Sequence, residues 1–316
     1  MENKSKLILC IPIFIASLIL TNNIYLSKAN NDITNALIDS QNEIDNKQSE
    51  IEVLKIQEEC INNYQELTES INNLNNYLSN HKVSIYYYEP DYDYSYIYNI
   101  DEVYYAASTT KLYDALYLLE EADNNKIDLS ETLIYDEDDL VPFSDAMDDY
   151  EDDDEVTLSD LIKYAIIYSD NTAHHMLFNY ITLDKFKSYQ ESLGIIPTIT
   201  NTDHFDNTTA RDSMKGLEEL YKYLNTNTSN ANNLKEYLID SDKNYLSTDT
   251  IESATKYGEY NNFFHQNGIV YTDNPYLVSI LTNEGPDNKS LIEEISSYLL
   301  ALNTASTKVH NTCNNT

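Results

Sequence analysis

The hydrophobic pattern of the chain begins with a short, almost wholly apolar run. This run, Leu7–Leu20, follows positive charges at Lys4 and Lys6, a combination typical of an export signal. Cleavage after Ala29 would release the remainder, because Ser27-Lys28-Ala29 is a small-x-small site. Uncleaved, the segment would be a membrane anchor, short for a full span of about 20 residues. We predict that residues 1–29 are a signal peptide or an anchor, with the rest of the chain outside the bacterial cytoplasm.

The next fifty residues are polar, but apolar residues recur among them at the spacing of a helix. Pro and Gly are absent from residues 31–80, which favours an uninterrupted helix. We predict a polar helical stalk over residues 30–59 and a continuation, roughly 60–80, that packs on a globular domain. A coiled-coil dimer through the stalk is a weaker interpretation, because the seven-residue repeat slips near Leu54.

After Asn80 the apolar pattern changes to the alternation of β-strands, and helical spacing predominates between the second and third of them. This order predicts an α+β domain over residues 60–316, with a five-stranded antiparallel sheet flanked by helices and an all-helical insertion over about 108–250. The predicted strands cover 83–88, 94–99, 251–258, 263–272 and 276–283. The predicted helices cover 108–121, 157–169, 172–180, 213–224 and 288–302.

The composition excludes several classes of function. Asp plus Glu number 54 against 19 Lys plus Arg, giving a formal net charge of −35, and a surface this negative repels phosphate backbones. Nucleic-acid binding is therefore excluded as the main function. The five glycines are too dispersed for a nucleotide-binding loop, and the histidines and cysteines lack metal-ligand spacing. We expect no cofactor and no metal; a bridge between Cys60 and Cys313 is left open.

Three short motifs, in order along the chain, carry the residues of a serine nucleophile. Ser108 and Lys111 have the S-x-x-K spacing, which on a helix places the lysine one turn after the serine and within reach of its hydroxyl. Ser169-Asp170-Asn171 lies between two predicted helices, and Lys256-Tyr257-Gly258 lies on a predicted strand.

A lysine accepts a proton from a serine hydroxyl only when part of it is uncharged. The pKa of Lys111 must therefore fall from about 10.4 toward about 7–8. Burial and a second cation would lower it, and Lys256 is the candidate for that cation. The positive end of the helix dipole at Ser108 would stabilise a developing alkoxide. The motifs together predict acyl transfer through Ser108.

The surroundings of these motifs resemble those of the serine β-lactamase and penicillin-binding protein superfamily, and most closely its class A branch. The resemblance extends over about residues 60–304, whereas the stalk lies outside it. It implies the same fold that the periodicity predicts. The matching stretches are Tyr104–Leu112, Ala165–Ala173, Ser192–Gly194, Thr208–Met214 and Pro275–Thr282.

The resemblance also implies catalytic roles. Ser108 would be the acylated nucleophile, and Lys111 its base or proton relay. Ser169 would pass a proton to the leaving nitrogen. Lys256 would bind the carboxylate of a β-lactam or of a D-Ala terminus, so that one local cation would hold an anionic substrate against the overall negative charge.

Three further residues would bind the substrate on the same basis. Asn171 would hold the amide side chain of the substrate and brace Lys111. The backbone N–H groups of Ser108 and Glu259 would form the oxyanion hole, where one donor is worth about 10²–10³ in rate. Gly258 would belong to the same substrate-binding strand.

Two departures from the class A pattern bear on turnover. The class A loop carries a Glu that activates the deacylating water, but no Glu lies between Gly194 and Thr208. Asp203 or Asp206 could replace it; otherwise acylation would survive while deacylation is slow, since a lost general base costs about 10²–10⁴-fold. Tyr257 also takes the place of a small hydroxyl residue, and its bulk alters the carboxylate pocket.

The sequence therefore predicts an exported serine hydrolase that opens β-lactam rings through an acyl-enzyme on Ser108. One alternative is a D-Ala-D-Ala peptidase or penicillin-binding protein with slow deacylation. Another is a catalytically silent surface protein that kept the fold. The expected partners are a β-lactam or a peptidoglycan peptide, and the membrane through the N-terminal segment.

Overall fold

The chain divides into two units in the computed structural model, which describes residues 2–199, 205–285 and 288–313. Met1–Asn62 and Asn311–Thr316 form one unit, and Asn63–His310 form the other. The helices are α1 (Glu2–Leu78), α2 (Lys111–Asp123), α3 (Leu158–Ile167), α4 (Asn171–Ile181), α5 (Leu183–Ser192), α6 (Ala210–Leu224), α7 (Ser229–Ile239) and α8 (Lys289–Cys313). The strands are β1 (Val83–Glu89), β2 (Tyr94–Tyr98), β3 (Tyr104–Tyr105), β4 (Thr132–Ile134), β5 (Glu155–Thr157), β6 (Asn207–Thr208), β7 (Glu252–Tyr260), β8 (Phe263–Tyr271) and β9 (Tyr276–Thr282).

The first unit consists mainly of the exposed part of α1. Its apolar residues at helical spacing, such as Ile33 and Leu37, are more than half exposed. A disulfide joins Cys60 to Cys313 at the end of α8, which settles the pairing that the sequence leaves open. The side chains of the predicted export segment up to residue 12 lie outside the described residues. Along the helices that are described, no stretch combines the length and the apolarity needed to traverse a bilayer.

The second unit is built on one antiparallel sheet with the strand order β2-β1-β9-β8-β7. The predicted α+β architecture with a five-stranded antiparallel sheet is confirmed. Directly opposed residues of neighbouring strands share a face, so the register places Lys256 of β7 and Tyr86 of β1 on one face. Tyr87 and Glu89 therefore lie on the other face.

The segment between β2 and β7 holds helices α2 to α7, as the pattern predicts for this insertion. The structure adds two small ribbons, in which β3 pairs with β6 and β4 pairs with β5. Strands of two or three residues are too short to show an alternation in the sequence. Two of the helices, α5 and α7, were not predicted, and α8 continues to Cys313, well beyond the predicted end near residue 302.

The main core lies between these helices and the face of the sheet that carries Lys256. Burial of each leucine or isoleucine side chain stabilises the fold by about 1.5–3 kcal/mol. The end of α1 packs as predicted within the second unit, because Leu67, Leu74 and Leu78 are buried. Fully buried members of the main core include Leu116, Leu118, Leu158, Leu161, Leu177, Leu217, Ile269 and Leu277.

Candidate active site

A cleft of about 740 Å³ opens in the second unit and brings the three sequence motifs together. Ser108 lies in a short 3-10 turn, Ala107–Thr110, that runs directly into α2. Ala107 has a φ of 48°, a left-handed conformation that costs a non-glycine residue free energy. This conformation turns the chain from β3 into the helix. The walls of the cleft include Ser108, Ser169, Asn171, Phe205, Tyr257 and Glu259.

Lys111 is the centre of the polar network behind the cleft. Its Nζ lies 2.8 Å from Ser108 Oγ and donates to the backbone oxygen of Ser169 at 2.5 Å. It also donates to Asn171 Oδ1 at 2.6 Å. The sequence places Ser108 and Lys111 on one helical turn, and the structure brings Ser169 and Asn171 to the same amine.

The environment of Lys111 makes its amine a proton acceptor near neutral pH. The side chain is fully buried, and burial lowers its pKa to about 7, although the negative charges of Asp170 and Asp114 oppose this shift. The predicted fall in pKa is present, but burial is its main cause. A second cation is not what lowers it.

Ser169 lies between the two lysine side chains. Its Oγ is 2.9 Å from Lys256 Nζ and 3.4 Å from Lys111 Nζ. Ser169 adopts a φ of 58° between α3 and α4, a strained conformation that directs this hydroxyl into the network. Burial lowers the pKa of Lys256 well below its usual value, and repulsion from Lys111 adds to the effect. Ser169 can therefore exchange a proton with either amine.

Asp170 and Asn171 attach α4 to the loop on one side of the cleft. Asp170 caps α4 by accepting from Ala173 N at 2.8 Å, and its other oxygen accepts from the N–H groups of Ala146 and Met147. Asn171 Nδ2 donates to Pro142 O at 2.7 Å. The middle motif thus holds a wall of the cleft as well as Lys111.

Gly258 allows β7 to approach the turn that carries Ser108. A Cβ at this position would lie 2.8 Å from Ala106 O and 3.0 Å from Thr109 N, closer than side-chain carbons approach backbone atoms. The next residue of β7, Glu259, lines the same cleft as Ser108. Both residues that carry the predicted oxyanion N–H groups therefore lie at the cleft.

The family model described as "Beta-lactamase enzyme family" matches residues 66–302. The chain belongs to this family. It is similar to the β-lactamase BRO-1 of Moraxella catarrhalis, with 26% identity over 60% of this chain and 67% of that protein. Membership in this family, together with the fold, indicates a hydrolase of the serine type.

Solved structures of the same fold include β-lactamases and a penicillin-binding protein. The β-lactamase of Sphaerobacter thermophilus superposes with a TM-score of 0.63 at 19% identity, covering 75% of this chain and 96% of that one. PBP-A gives 0.66 at 18% identity, with 73% and 94% covered. The TLA-3 extended-spectrum β-lactamase gives 0.64 at 20% identity, with 73% and 97% covered. At these identities the comparison shows the shared fold.

Relative to the family pattern, Tyr257 changes the carboxylate end of the cleft. Its ring lines the cleft and is only 7% exposed. The ring centroid lies 4.2 Å from Lys256 Nζ, and that amine also donates to Tyr257 O at 3.0 Å. Lys256 is fully buried and is not part of the cleft wall. Lys256, the predicted carboxylate-binding residue, is thus hydrogen-bonded to Ser169 and covered by the Tyr257 ring.

Of the two predicted replacements for the class A loop Glu, the structure describes only Asp206. Asp203 lies outside the described residues. Asp206 is buried; its Oδ1 accepts from Thr198 N at 2.8 Å and from the Thr198 hydroxyl, and it is not part of the cleft wall. The neighbouring Phe205 lines the cleft instead, with its ring centroid 5.6 Å from Lys111 Nζ. An apolar ring therefore borders the amine in this part of the site.

His265 holds the segment before Ser108 in place and was missed in the sequence. This fully buried residue of β8 donates from Nε2 to Tyr105 O at 2.9 Å, and its Nδ1 accepts from Thr282 N. Burial lowers its pKa to about 4, so the ring is neutral and keeps this pattern at physiological pH. It fixes the segment before Ser108. In the sequence, only the alternation of β8 indicates that His265 is buried. That pattern does not distinguish this histidine from an ordinary core residue.

Proposed function

We propose that this protein is an exported serine hydrolase that opens β-lactam rings through an acyl-enzyme on Ser108. The observation that carries the proposal is the 2.8 Å contact between Ser108 Oγ and a lysine amine with a pKa of about 7. A hydroxyl beside a half-neutral amine, with a second serine between two amines, is an arrangement for nucleophilic attack followed by protonation of a leaving group.

The acylation step follows from these contacts. The neutral amine of Lys111 takes the proton of Ser108 as Oγ attacks the lactam carbonyl and forms the C–O bond. The N–H groups of Ser108 and Glu259 stabilise the negative charge on the carbonyl oxygen. When the C–N bond breaks, Ser169 gives its proton to the leaving nitrogen and regains one from Lys111 or Lys256. Asn171 holds the amide side chain of the substrate.

One observation favours a second candidate, a D-Ala-D-Ala peptidase or penicillin-binding protein with a long-lived acyl-enzyme. Asp206 is engaged with Thr198, and Phe205 borders Lys111, so the one described replacement for the class A loop Glu is turned away from a water at the ester of Ser108. The L158E mutant of PBP-A, which shares the fold, has been solved as an acyl-enzyme complex with penicillin G. Both candidates use the same first step and differ in how fast the ester is hydrolysed.

Intact-mass spectrometry over time tests the proposal. The purified chain is treated with penicillin G, and one adduct of the intact antibiotic is expected, mapped to the peptide that contains Ser108. Disappearance of the adduct with release of penicilloate supports a β-lactamase, whereas an adduct that lasts for hours supports the second candidate. Absence of any adduct together with no release of penicilloate at millimolar penicillin over hours contradicts both, and leaves a catalytically silent protein with this fold.

We also propose that the protein acts outside the cytoplasm, as a secreted or membrane-anchored form. The disulfide between Cys60 and Cys313 supports this location, because disulfides persist in oxidising compartments. The apolar run after Lys4 and Lys6 supports it independently. Fractionation of producing cells should find the chain outside the cytoplasmic fraction with its two cysteines oxidised. A reduced, cytoplasmic chain would contradict this location.

A further inference from the structure

The cleft lacks the lysine that would be expected to bind a substrate carboxylate. The amine of Lys256 has three close neighbours, the Ser169 hydroxyl, the Tyr257 carbonyl and the Tyr257 ring, and the side chain is fully buried. The cleft-lining groups beside this amine, Ser169 and Tyr257, separate it from an anion in the cleft. A different cation is therefore required if the substrate carries a carboxylate.

Among the described residues that line the cleft, Lys243 is the only lysine or arginine. It lies in the segment between α7 and β7, and its side chain is 38% exposed. Its Nζ lies 5.7 Å from the centroid of the Tyr257 ring. Lys243 and Lys256 therefore both lie beside this ring, and only Lys243 is open to the cleft.

Lys243 already holds a carboxylate in the structure. Its Nζ donates to Glu259 Oε2, and the Glu259 side chain is 27% exposed at the cleft wall. Glu259 is also the residue whose backbone N–H is expected to stabilise the oxyanion. A carboxylate that emerges from this point of β7 lies next to the reacting carbonyl, where the acidic group of a β-lactam would come to lie.

We propose that Lys243 is the receptor for the substrate carboxylate and that Glu259 occupies this receptor in the free protein. This inference rests on the proposed function. A substrate acid displaces the Glu259 carboxylate from Lys243, one ion pair replacing another, and no covalent bond changes. Binding of an anionic substrate is therefore weaker than Lys243 alone would give, because Glu259 competes and because Asp242 also lines the cleft.

The test compares a free acid with its ester on the full chain. Acylation efficiency, the rate constant divided by the half-saturating concentration, is measured by mass spectrometry for penicillin G and for penicillin G methyl ester. Lys243→Met should lower the acid-to-ester ratio of efficiencies about 10- to 100-fold, because a charge-assisted hydrogen bond is lost. Lys243→Arg should restore most of the ratio. Lys235→Met, at a lysine on α7 outside the cleft wall, is the matched control and should leave the ratio unchanged.

Two further variants separate Lys243 from its competitor and from Lys256. Glu259→Gln keeps the backbone N–H and removes the competing charge, so the ratio should rise about two- to five-fold, the range of a partly exposed ion pair. In the Lys243→Met background, Tyr257→Thr should recover part of the ratio by exposing Lys256.

The outcomes separate a failure of the proposed function from a failure of the role given to Lys243. If the wild-type chain neither forms an adduct with nor hydrolyses either compound, the proposed function fails and the ratio cannot be formed. If the adduct forms and Lys243→Met leaves the ratio unchanged, the proposed function stands and Lys243 is not the receptor. If Glu259→Gln lowers the ratio, Glu259 does not compete, and that half of the inference is wrong.

Discussion

The two faces of the five-stranded sheet each bury an ionisable cluster, and the two clusters differ in what surrounds them. On one face, Lys111 and Lys256 meet the hydroxyl groups of Ser108 and Ser169, and those hydroxyls line the cleft. On the other face, Glu89 of β1 is buried against α8. The first cluster opens to a cleft, whereas no described residue of the second lines it.

The carboxylate of Glu89 accepts its hydrogen bonds from buried side chains. Its oxygens accept from the Tyr87 hydroxyl, from Asn303 Nδ2 and from Ser306 Oγ at 2.9 Å. Burial beside this charge raises the pKa of Tyr87 far above its usual value, so the tyrosine stays a donor. Each of these groups is the hydrogen-bond partner of another, as in a structural polar cluster.

Burial of ionisable side chains alone therefore does not indicate a catalytic site. Both clusters contain charged side chains with no exposure. What distinguishes the lysine cluster is that a hydroxyl beside the amine reaches open space, and that two residues next to it, Ala107 and Ser169, have left-handed backbone conformations. The following predictions test this distinction.

The largest effect is expected for Ser108→Ala. Removal of Oγ should abolish the penicillin adduct entirely, because no other group in the cluster would carry the acyl group. Intact-mass spectrometry measures it. Ser297→Ala, at an exposed serine of α8, is the matched control and should be labelled like wild type. An undiminished adduct on the Ser108→Ala chain would place the nucleophile elsewhere.

Lys111→Met should slow acylation about 10²–10⁴-fold, the usual effect of losing a general base. Methionine keeps the chain length and the apolar contacts of the buried stem, so the fold should be retained. Stopped-flow loss of penicillin absorbance or timed mass spectra give the rate. Lys126→Met, which removes an exposed amine paired with Glu121, is the control. A change of less than three-fold at Lys111 would show that another group takes the proton.

Gly258→Ala should slow acylation about 10- to 100-fold by moving β7 away from the turn of Ser108, since small misplacements of reacting groups are costly. Overpacking should also destabilise the chain by about 1–3 kcal/mol. Gly216→Ala separates the two effects, because its Cβ would meet Tyr113 Cε1 at 2.7 Å without touching the Ser108 turn. Equal acylation defects in both variants would mean that general destabilisation explains the result.

Glu89→Gln should lower the free energy of unfolding by about 1–3 kcal/mol and change acylation less than two-fold. Glutamine offers one acceptor oxygen where three donors converge, so a buried donor is left unsatisfied. Denaturant unfolding measures the stability. Glu66→Gln, which breaks the half-exposed pair with Lys308, should cost at most about 1 kcal/mol. A large acylation defect in Glu89→Gln would contradict the division of roles between the two faces.

The sequence predicts the elements whose periodicity is long and the motifs whose residues are close together. The sheet, four of the six helices of the insertion and the Ser108–Lys111 pair are of this kind. Spacing and periodicity do not predict contacts between distant segments, and the contact of Asn171 with Lys111 follows only from the resemblance. The approach of Ser169 O to Lys111 and the turn of Asp206 toward Thr198 depend on backbone conformations that no short pattern specifies.

The bulk of Tyr257 has a consequence that the motif Lys256-Tyr257-Gly258 alone does not reveal. Tyr257 is a recognisable departure in the sequence, but the covering of Lys256 by its ring depends on how β7 lies beside Tyr168 and Ser169, between α3 and α4. Lys243 carries no motif, and its importance is visible only when the cleft wall is known. Sequence therefore identifies the proposed nucleophile, Ser108, better than the proposed carboxylate receptor, Lys243.

The dependence of acylation on pH tests most directly whether a buried, partly neutral Lys111 activates Ser108. The neutral amine is the active form, and its pKa of about 7 makes the acylation efficiency rise with pH through 7 and level off above it. At pH 5 about 1% of the amine is neutral, so the efficiency should be about 100-fold below its plateau. An efficiency that is flat or falls between pH 5.5 and 8.5 would contradict the account.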